Sequence, residues 1–135
     1  LTGEIPHVTP FEGPDPGFFR EVEGKLVPDP FNDDQALVVD TPEGAVVLTG
    51  CAHSGIVNIL KRVLERHSRI RAAVGGTHLG LGDRKRIQPT LDFLDEISPD
   101  RMVFNHCTGI AVISTMMERF KDKFLPGQTG MVLNL

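Results

Sequence analysis

The feature of this sequence that most limits its fold is a regular alternation of strand-like and helix-like patterns after residue 32. Two β-branched runs, Ala36–Asp40 and Ala45–Thr49, flank a short turn with Pro42 and Gly44, and this arrangement predicts a β-hairpin. The segments that follow alternate between apolar residues at helical spacing and short apolar runs typical of buried strands. The predicted helices are Gly55–His67, a helix with Pro89 in its first turn that ends near Ile97, and Gly109–Phe124; the predicted strands are Ile70–Val74, Met102–Phe104 and Met131–Leu135. A β-hairpin followed by alternating helices and strands indicates an α/β layered fold.

The first 32 residues follow a different pattern, because six of the ten prolines lie among them. Proline fixes φ and lacks an amide donor, so it favours loops and edge strands. We therefore divide the chain into a proline-rich loop or edge segment, residues 1–32, and an α/β unit, residues 33–135. Apolar side chains of the first segment, such as Phe18 and Phe19, are expected to pack on another part of the protein.

Composition and charge exclude several classes of protein. The 135 residues fit one domain or a part of one. With 18 acidic and 14 basic residues the net charge is −4, which disfavours non-specific nucleic-acid binding. No apolar stretch approaches the roughly 20 residues of a membrane span, and two cysteines rule out a disulfide-rich secreted scaffold. Because the chain shows no signal peptide and begins with Leu1 rather than methionine, we expect a cytoplasmic protein and a fragment of a longer chain.

Three short segments share one layout, in which a histidine and at least one glycine follow the end of a predicted strand. They are Thr49–Gly55 with His53, Gly75–Gly80 with His78, and Asn105–Gly109 with His106. Ligands of open α/β sheets bind outside the carboxyl ends of the strands, so three parallel neighbouring strands would bring these histidines to one edge. Imidazole is the commonest metal ligand among side chains. The pattern therefore predicts a shared site, with a metal as its natural ligand.

The other histidines and the two cysteines are less specific. His67 lies near the end of a predicted helix, where cations are favoured, and we interpret it as structural. His7 lies in the proline-rich segment and is given no role. Cys51 and Cys107 each stand next to a site histidine, and three interpretations stay open: zinc ligands, a nucleophile or redox pair, or small residues packed beneath the site.

Three polar segments near these histidines carry weaker signals. Asp33–Asp34 is interpreted as a cap, a turn or a carboxylate that supports the site. Asp83–Arg86 is interpreted as the solvated start of a helix rather than a phosphate site. Thr108–Gly109 opens a predicted helix, and the free amides of a helix start can hold an anion.

Over essentially its whole length the sequence resembles one branch of the metallo-β-lactamase superfamily. The segments that carry the resemblance stand in the family's order, and they are Leu1–Pro6, Asp33–Leu37, Gly50–Asn58, Gly75–Leu79 and His106–Gly109. The branch includes proteins similar to dihydropterin ribofuranosyl-aminobenzene phosphate synthase. The resemblance implies an αββα sandwich with a metal site at one edge, and this chain corresponds to the C-terminal half of that sandwich.

The resemblance also implies roles for single residues. His53 matches the family's mid-chain metal histidine and His106 matches the last one, so both are expected to be metal ligands. His78 stands in the family's Gly-Gly-x-His-Leu segment, where the implied role is catalytic, as a ligand or as a hydrogen-bond donor to the transition state. Cys51 stands where many members carry a bridging aspartate, and His7 stands where an arginine is usual. The implied cofactor is a divalent metal, with zinc first and manganese or iron as alternatives.

The superfamily's His-x-His-x-Asp-His motif, which belongs to the N-terminal half of the domain, does not occur in this sequence. We therefore expect the chain to hold half of the site of a metal-dependent hydrolase or related transferase, and to be inactive alone. The expected substrate is a small ester or phosphoester, phosphorylated or pterin-like. Two alternatives stay open: a non-catalytic module that binds an anionic small molecule, and a thiol redox protein that uses Cys51 and Cys107.

The missing half has a structural consequence as well. Without it, one face of the sheet loses its cover, and we expect Val38, Val47 and Phe104 to lack packing partners. The chain is therefore expected to pair with the missing half or with a second copy of itself.

Overall fold

The structure is a computed structural model that describes residues 1–14, 16–82 and 84–135. The strands are β1 (Phe19–Val22), β2 (Lys25–Pro28), β3 (Ala36–Thr41), β4 (Gly44–Thr49), β5 (Ile70–Gly75), β6 (Arg101–Phe104) and β7 (Phe124–Pro126). The helices are α1 (Ile56–Leu64), α2 (Arg84–Ile97) and α3 (Ile110–Phe120), with 3₁₀ turns at His106–Thr108 and Lys121–Lys123. Among the described residues, none of these helices has both the length and the apolar composition needed to cross a bilayer.

The main sheet has five strands in the order β3-β4-β5-β6-β7. β3 and β4 form the predicted antiparallel hairpin, in which Val38 lies opposite Val47. β4, β5, β6 and β7 are parallel neighbours, and successive strands are joined through α1, α2 and α3. The predicted α/β class and the parallel arrangement of the three histidine-bearing strands are both confirmed. The carboxyl ends of β4, β5 and β6 consequently lie at one edge of the sheet.

The hydrophobic core lies between one face of this sheet and the three helices. Within it, residues of β3 to β7 form one cluster with residues of α1, α2 and α3. The prediction that Val47 and Phe104 lack packing partners is wrong, because both are fully buried in this cluster. Val38 is partly buried against the same cluster, since it lies opposite Val47 and points to the same face.

The exposed apolar side chains of the sheet lie one position along each strand, on the opposite face. Leu37, Val39 and Leu48 are 45%, 44% and 36% exposed. Successive residues of a strand alternate between the two faces, so burial of Val38 and Val47 directs these three outward. The sheet therefore has an uncovered apolar patch, although at different residues from those predicted.

The second helix begins earlier than its sequence suggests. α2 starts at Arg84, and Pro89 lies inside it rather than in its first turn. Proline removes one hydrogen bond of the helix, here the bond to the carbonyl of Lys85 near the helix start, and α2 tolerates that loss. The charged segment Asp83–Arg86 is interpreted as the start of a helix, and Arg84–Arg86 do form the first residues of α2. Asp83 lies outside the described residues.

The end of the chain departs furthest from the prediction. α3 ends at Phe120, and Lys121 adopts a positive φ of 49° that cannot continue an α-helix. Phe124 then starts β7, which pairs with β6 and packs its ring 6.1 Å from the ring of Phe104. The predicted strand Met131–Leu135 is wrong, because these residues form no strand. Phe124 fits the apolar spacing of a helix as well as that of a strand. The pattern therefore assigned Phe124 to the helix and predicted the last strand too far along the chain.

The first 32 residues fold back onto the α/β unit. β1 and β2 form a separate two-stranded sheet whose side chains are largely exposed. Ile5 is buried in the core cluster, and Glu12 is buried as well. The segment is therefore attached at a few points rather than packed along its whole length.

Candidate functional site

The loops that follow β4, β5 and β6 meet at the carboxyl edge of the sheet. The amide of Gly76 donates to the carbonyl of Gly50 at 2.8 Å, which joins the first two loops. The amide of Gly80 donates to the carbonyl of Cys107 at 2.9 Å, which joins the second and the third. These contacts bring the three histidine-bearing loops together, as their equivalent positions predicted.

One group of side chains at this edge combines two thiols with an imidazole. Cys51, His106 and Cys107 each offer a ligand atom, and these atoms all lie within 4.8 Å of one another. We refer to these three residues as the thiol–imidazole group. The Cys107 sulfur accepts a hydrogen bond from the amide of His78 at 3.3 Å and donates to the carbonyl of Cys51 at 3.4 Å. His106 is exposed, whereas the two cysteines are half-buried.

Glycine at position 76 makes room for this group. A Cβ atom at Gly76 would lie 2.6 Å from the Cys107 sulfur and 2.7 Å from the carbonyl oxygen of Gly50. Both distances are shorter than a Cβ tolerates, so a side chain here would push Cys107 away from Cys51. The space that the thiol–imidazole group needs thus explains why glycine, and no larger residue, fits at position 76.

A second group contains the other two predicted histidines. The rings of His53 and His78 lie 4.3 Å apart, and Phe31 stacks on His53 at 4.5 Å with an interplanar angle of 6°. Phe18 packs edge-on against His53 at 5.2 Å. We refer to these four residues as the histidine–aromatic group. The Nδ1 atom of His53 is buried and has no hydrogen-bond partner among the described residues, so a ligand atom or ion beside it would satisfy it.

The three predicted site residues therefore lie at one edge but in two groups. The structure brings His53 and His78 together and places His106 with the two cysteines. A direct hydrogen bond from the backbone of His78 to Cys107 joins the groups. The metal-ligand roles of His53 and His106 and the catalytic role of His78 stay predictions.

Sequence reasoning did not assign a site role to Phe18 or Phe31. Both come from the proline-rich segment, and they reach the site because that segment folds back over the edge of the sheet. The available signal was an aromatic content too high for a solvated loop, which predicted packing but not where it occurs.

The backbone at this edge adopts conformations that are uncommon for residues other than glycine. Ala52, His78 and His106 have φ values of 59°, 50° and 53°. Non-glycine residues in this left-handed region carry a conformational cost and cluster at functional sites. One such residue occurs in each of the three loops. Each loop therefore carries a backbone conformation of higher energy at the edge where the candidate site lies.

The first of these loops is held from the side by the segment that precedes β3. A carboxylate oxygen of Asp34 accepts a hydrogen bond from the amide of Ser54 at 2.7 Å. The Ser54 hydroxyl donates to the carbonyl of Phe31 at 3.3 Å. Asp34 thus supports the loop that carries Cys51 and His53, which agrees with one of its three sequence interpretations.

The start of α1 is capped by a carboxylate from a distant segment. Glu12 accepts hydrogen bonds from the amides of Val57 at 3.0 Å and Asn58 at 2.9 Å. These are two of the amides that a helix start leaves without partners. A Cβ at Gly55 would lie 2.3 Å from a Glu12 oxygen, so the close approach requires glycine there.

Burial shifts the pKa of two acidic groups near the site. Burial raises the pKa of the Cys51 thiol, and the neighbouring Cys107 and Asp34 raise it further. Burial also raises the pKa of Glu12, although the amides of Val57 and Asn58 and the charge of Arg86 oppose the shift. In both cases removal from water disfavours the charged form.

The two histidines that were left out of the predicted site have other partners. His67 lies 3.5 Å from the carboxylate of Asp40, and the His7 ring pairs with the carbonyl of Pro30 at 3.1 Å. Neither residue belongs to the two groups defined above.

The thiol–imidazole group fits a divalent metal ion. Zinc binds sulfur at about 2.3 Å and nitrogen at about 2.0–2.1 Å, so two ligand atoms on one tetrahedral ion lie roughly 3.5–4 Å apart. Ligand atoms within 4.8 Å of one another reach that spacing with small side-chain movements. The Nδ1 atom of His53 is buried and has no hydrogen-bond partner among the described residues, so a bound group could also contact this atom favourably.

Comparisons with known proteins identify relatives of this chain. No protein-family profile matches the sequence. The chain is 30% identical over 119 residues to 7,8-dihydropterin-6-methyl-4-(beta-D-ribofuranosyl)-aminobenzene-5'-phosphate synthase of Methanocaldococcus jannaschii, an alignment that covers 87% of the chain and 40% of that enzyme. It is also 30% identical over 115 residues to an uncharacterized protein of the same organism, covering 84% of the chain and 41% of that protein.

A solved structure shows the same fold. The crystal structure of a metal-dependent hydrolase of the β-lactamase superfamily matches the chain with a TM-score of 0.84 and 36% sequence identity. The match covers 92% of this chain and 49% of that one. The chain thus spans about half the length, or somewhat less, of the relatives that it matches.

Proposed function

The chain belongs to the metallo-β-lactamase superfamily, and on this premise we propose that it supplies part of the active site of a metal-dependent hydrolase or related transferase. The observation that carries the proposal is the convergence of three histidines and two cysteines on one sheet edge. They are His53, His78, His106, Cys51 and Cys107. Similarity to a metal-dependent hydrolase supports a divalent metal as the cofactor, with zinc as our first choice.

In this proposal His53 and His106 are metal ligands, and His78 is a ligand or a hydrogen-bond donor to the reacting group. A divalent metal supplies a water of lowered pKa and polarises the substrate when it is bound. The chain's own residues prepare the edge for that chemistry. Phe31 stacks on His53 and fixes the plane of its ring, while Phe18 shields the same ring from the side.

We propose a small ester or phosphoester as the substrate, phosphorylated or pterin-like. The name of one relative, a phosphate-bearing dihydropterin synthase, supports that class. Phe18 is 42% exposed at the rim of the edge and offers a flat apolar surface to an aromatic substrate.

We also propose a partner for the exposed apolar patch on the outer face of the sheet. Leu37, Val39 and Leu48 are exposed there, and the solved relative is about twice as long as the chain. The second half of the αββα sandwich, or a second copy of this chain, would bury this patch and complete the site.

The experiment is metal analysis and a hydrolysis assay of the full-length protein and its alanine variants. His53→Ala and His106→Ala should each weaken metal binding by at least about 10–100-fold and lower phosphodiester or ester turnover, because a lost ligand removes both affinity and the positioned water. The matched control is His67→Ala, since His67 pairs with Asp40 away from both groups. Residues 1–135 alone should be inactive in the same assay.

Two results would contradict this proposal. The first is full metal content and turnover in both site variants. The second is metal-dependent turnover by a folded monomer of residues 1–135 that equals the turnover of the full-length protein.

A further inference from the structure

Both cysteines of the chain lie in the thiol–imidazole group, and the roles proposed so far use neither of them. Cys51 follows β4 and Cys107 follows β6, so the fold brings them together from strands that are not adjacent in the sheet. Their sulfur atoms and a ring nitrogen of His106 lie within 4.8 Å of one another.

The amide of His78 and the glycine at position 76 both lie next to the Cys107 sulfur. The amide of His78 donates to it at 3.3 Å, and an amide donor stabilises negative charge on sulfur. Gly76 leaves the space that the sulfur occupies, since a Cβ there would lie 2.6 Å from it. A cysteine that only fills space needs neither a hydrogen-bond donor directed at its sulfur nor a neighbouring glycine that leaves room for the sulfur.

We propose that Cys51 and Cys107 bind the metal as thiolates, together with the imidazole of His106. This inference rests on the proposed function, because it requires a metal at this edge of the sheet. Each sulfur forms one bond to the divalent ion as its thiol releases one proton to solvent, so no oxidant or reductant takes part. Three protein ligands leave one position of a tetrahedral ion for water, for substrate or for a further ligand such as His53.

A donor set of two sulfurs and one nitrogen has a definite metal preference. Thiolates are soft ligands that select zinc, cobalt and similar ions, whereas magnesium and calcium prefer oxygen. The thiol–imidazole group should therefore bind Zn²⁺ and Co²⁺ and discriminate against Mg²⁺. His53, which lies outside this group, is tested separately by its alanine variant.

Cobalt serves as the spectroscopic probe for thiolate ligation in the full-length protein. The protein is stripped of metal with a chelator under reducing conditions and titrated with Co²⁺. We expect a near-ultraviolet cobalt–thiolate charge-transfer band that saturates at about one ion per chain and disappears when Zn²⁺ displaces the cobalt. Cys51→Ser and Cys107→Ser should each weaken the band and lower zinc affinity by at least about tenfold, and the double variant should lack the band.

A second measurement avoids substitutions that could disturb folding. The wild-type protein is alkylated with iodoacetamide in the presence and absence of Zn²⁺, and the modified residues are identified by mass spectrometry. Metal-bound thiolates react slowly, so zinc should protect both Cys51 and Cys107. His67→Ala, with its site residues intact, should show the same protection and the same cobalt band as the wild type.

Three results would overturn the inference. Cobalt binding without a charge-transfer band, with equal alkylation in both conditions, would exclude thiolate ligation and leave the proposed function standing. Failure of the reduced protein to bind either Co²⁺ or Zn²⁺ would overturn both the thiolate ligation and the proposed metal-dependent function. A Cys51–Cys107 disulfide in protein purified without reductant, combined with that failure after reduction, would replace metal binding by a redox role for the pair.

Discussion

The α/β unit and the first 32 residues are held in the fold by different forces. The α/β unit is held by apolar packing, and Val47 and Phe104 are fully buried between the sheet and the helices. Among the described residues 1–14 and 16–32, by contrast, Ile5 is the buried hydrophobic side chain, Phe11 is partly buried against the core, and Glu12 is attached through hydrogen bonds. Most apolar packing therefore lies in the α/β unit, whereas the first segment is positioned by a few apolar contacts and hydrogen bonds.

Several of those hydrogen bonds meet at the first turn of α1, and others join Thr2 to Ala36 at the start of β3. The Asn58 side chain accepts from the amides of Val8 and Thr9, both at 3.0 Å, and donates to the carbonyl of Ser54 at 2.7 Å. Glu12 caps the same turn, as described above. Because the attached segment also carries Phe18 and Phe31 to the site, its attachment matters to function more than to overall stability.

The largest expected effect comes from the apolar core. Phe104→Ala should lower the free energy of unfolding by about 3–5 kcal/mol, because it removes a fully buried ring and leaves a cavity. In residues 1–135 without the partner proposed above, Leu48→Ala, on the outer face of the same sheet, should cost less than about 1 kcal/mol. Urea denaturation of both variants provides the measurement. Equal losses would show that the two faces of the sheet do not differ as the structure indicates.

A smaller effect is expected at the polar attachment. Asn58→Ala leaves two amides without an acceptor and should cost about 1–3 kcal/mol. Hydrogen exchange should show faster exchange in residues 5–12 while the strands of the main sheet stay protected. Asn134→Ala, at an exposed position, is the matched control and should change neither quantity. Uniform loss of protection across the protein would contradict a separable first segment.

The smallest effect concerns pH. Because burial raises the pKa of Glu12 above 4.5, the folded state keeps a proton that the unfolded state releases as pH rises past 4.5. The free energy of unfolding should therefore fall between pH 4.5 and the raised pKa and should change no further at higher pH on account of this group. Glu12→Gln should remove that part of the slope, whereas Glu96→Gln at an exposed position should keep it. Identical slopes in the wild type and Glu12→Gln would refute a buried carboxylic acid at this cap.

Local patterns predicted most of the α/β unit and little of the first segment. The β-branched runs around Pro42 and Gly44 form the expected hairpin, and the apolar spacing of residues 56–64 forms α1. Contacts such as the one from Glu12 to Val57 join residues 45 positions apart, and no local pattern reports them. The late placement of the last strand has a different cause, since Phe124 satisfies both a helical and a strand pattern.

For the candidate site, too, one part could be predicted from the sequence and another could not. Glycine-flanked histidines at three strand ends predicted that the loops share one edge, and they do. The separation into a thiol–imidazole group and a histidine–aromatic group depends on the direction in which each side chain leaves its loop. Positive φ angles at Ala52, His78 and His106 turn the backbone within these loops, and residue type alone does not reveal those turns.

These three left-handed residues have a consequence for how the protein can evolve. Each carries a backbone cost of roughly 1–3 kcal/mol that glycine would relieve, and two of them are histidines of the proposed site. A laboratory selection for heat resistance alone should therefore enrich glycine first at position 106, where the imidazole is exposed and its loss removes little packing. A selection that also demands turnover should retain both histidines and accumulate its gains elsewhere, so the two lineages would diverge first at these loops.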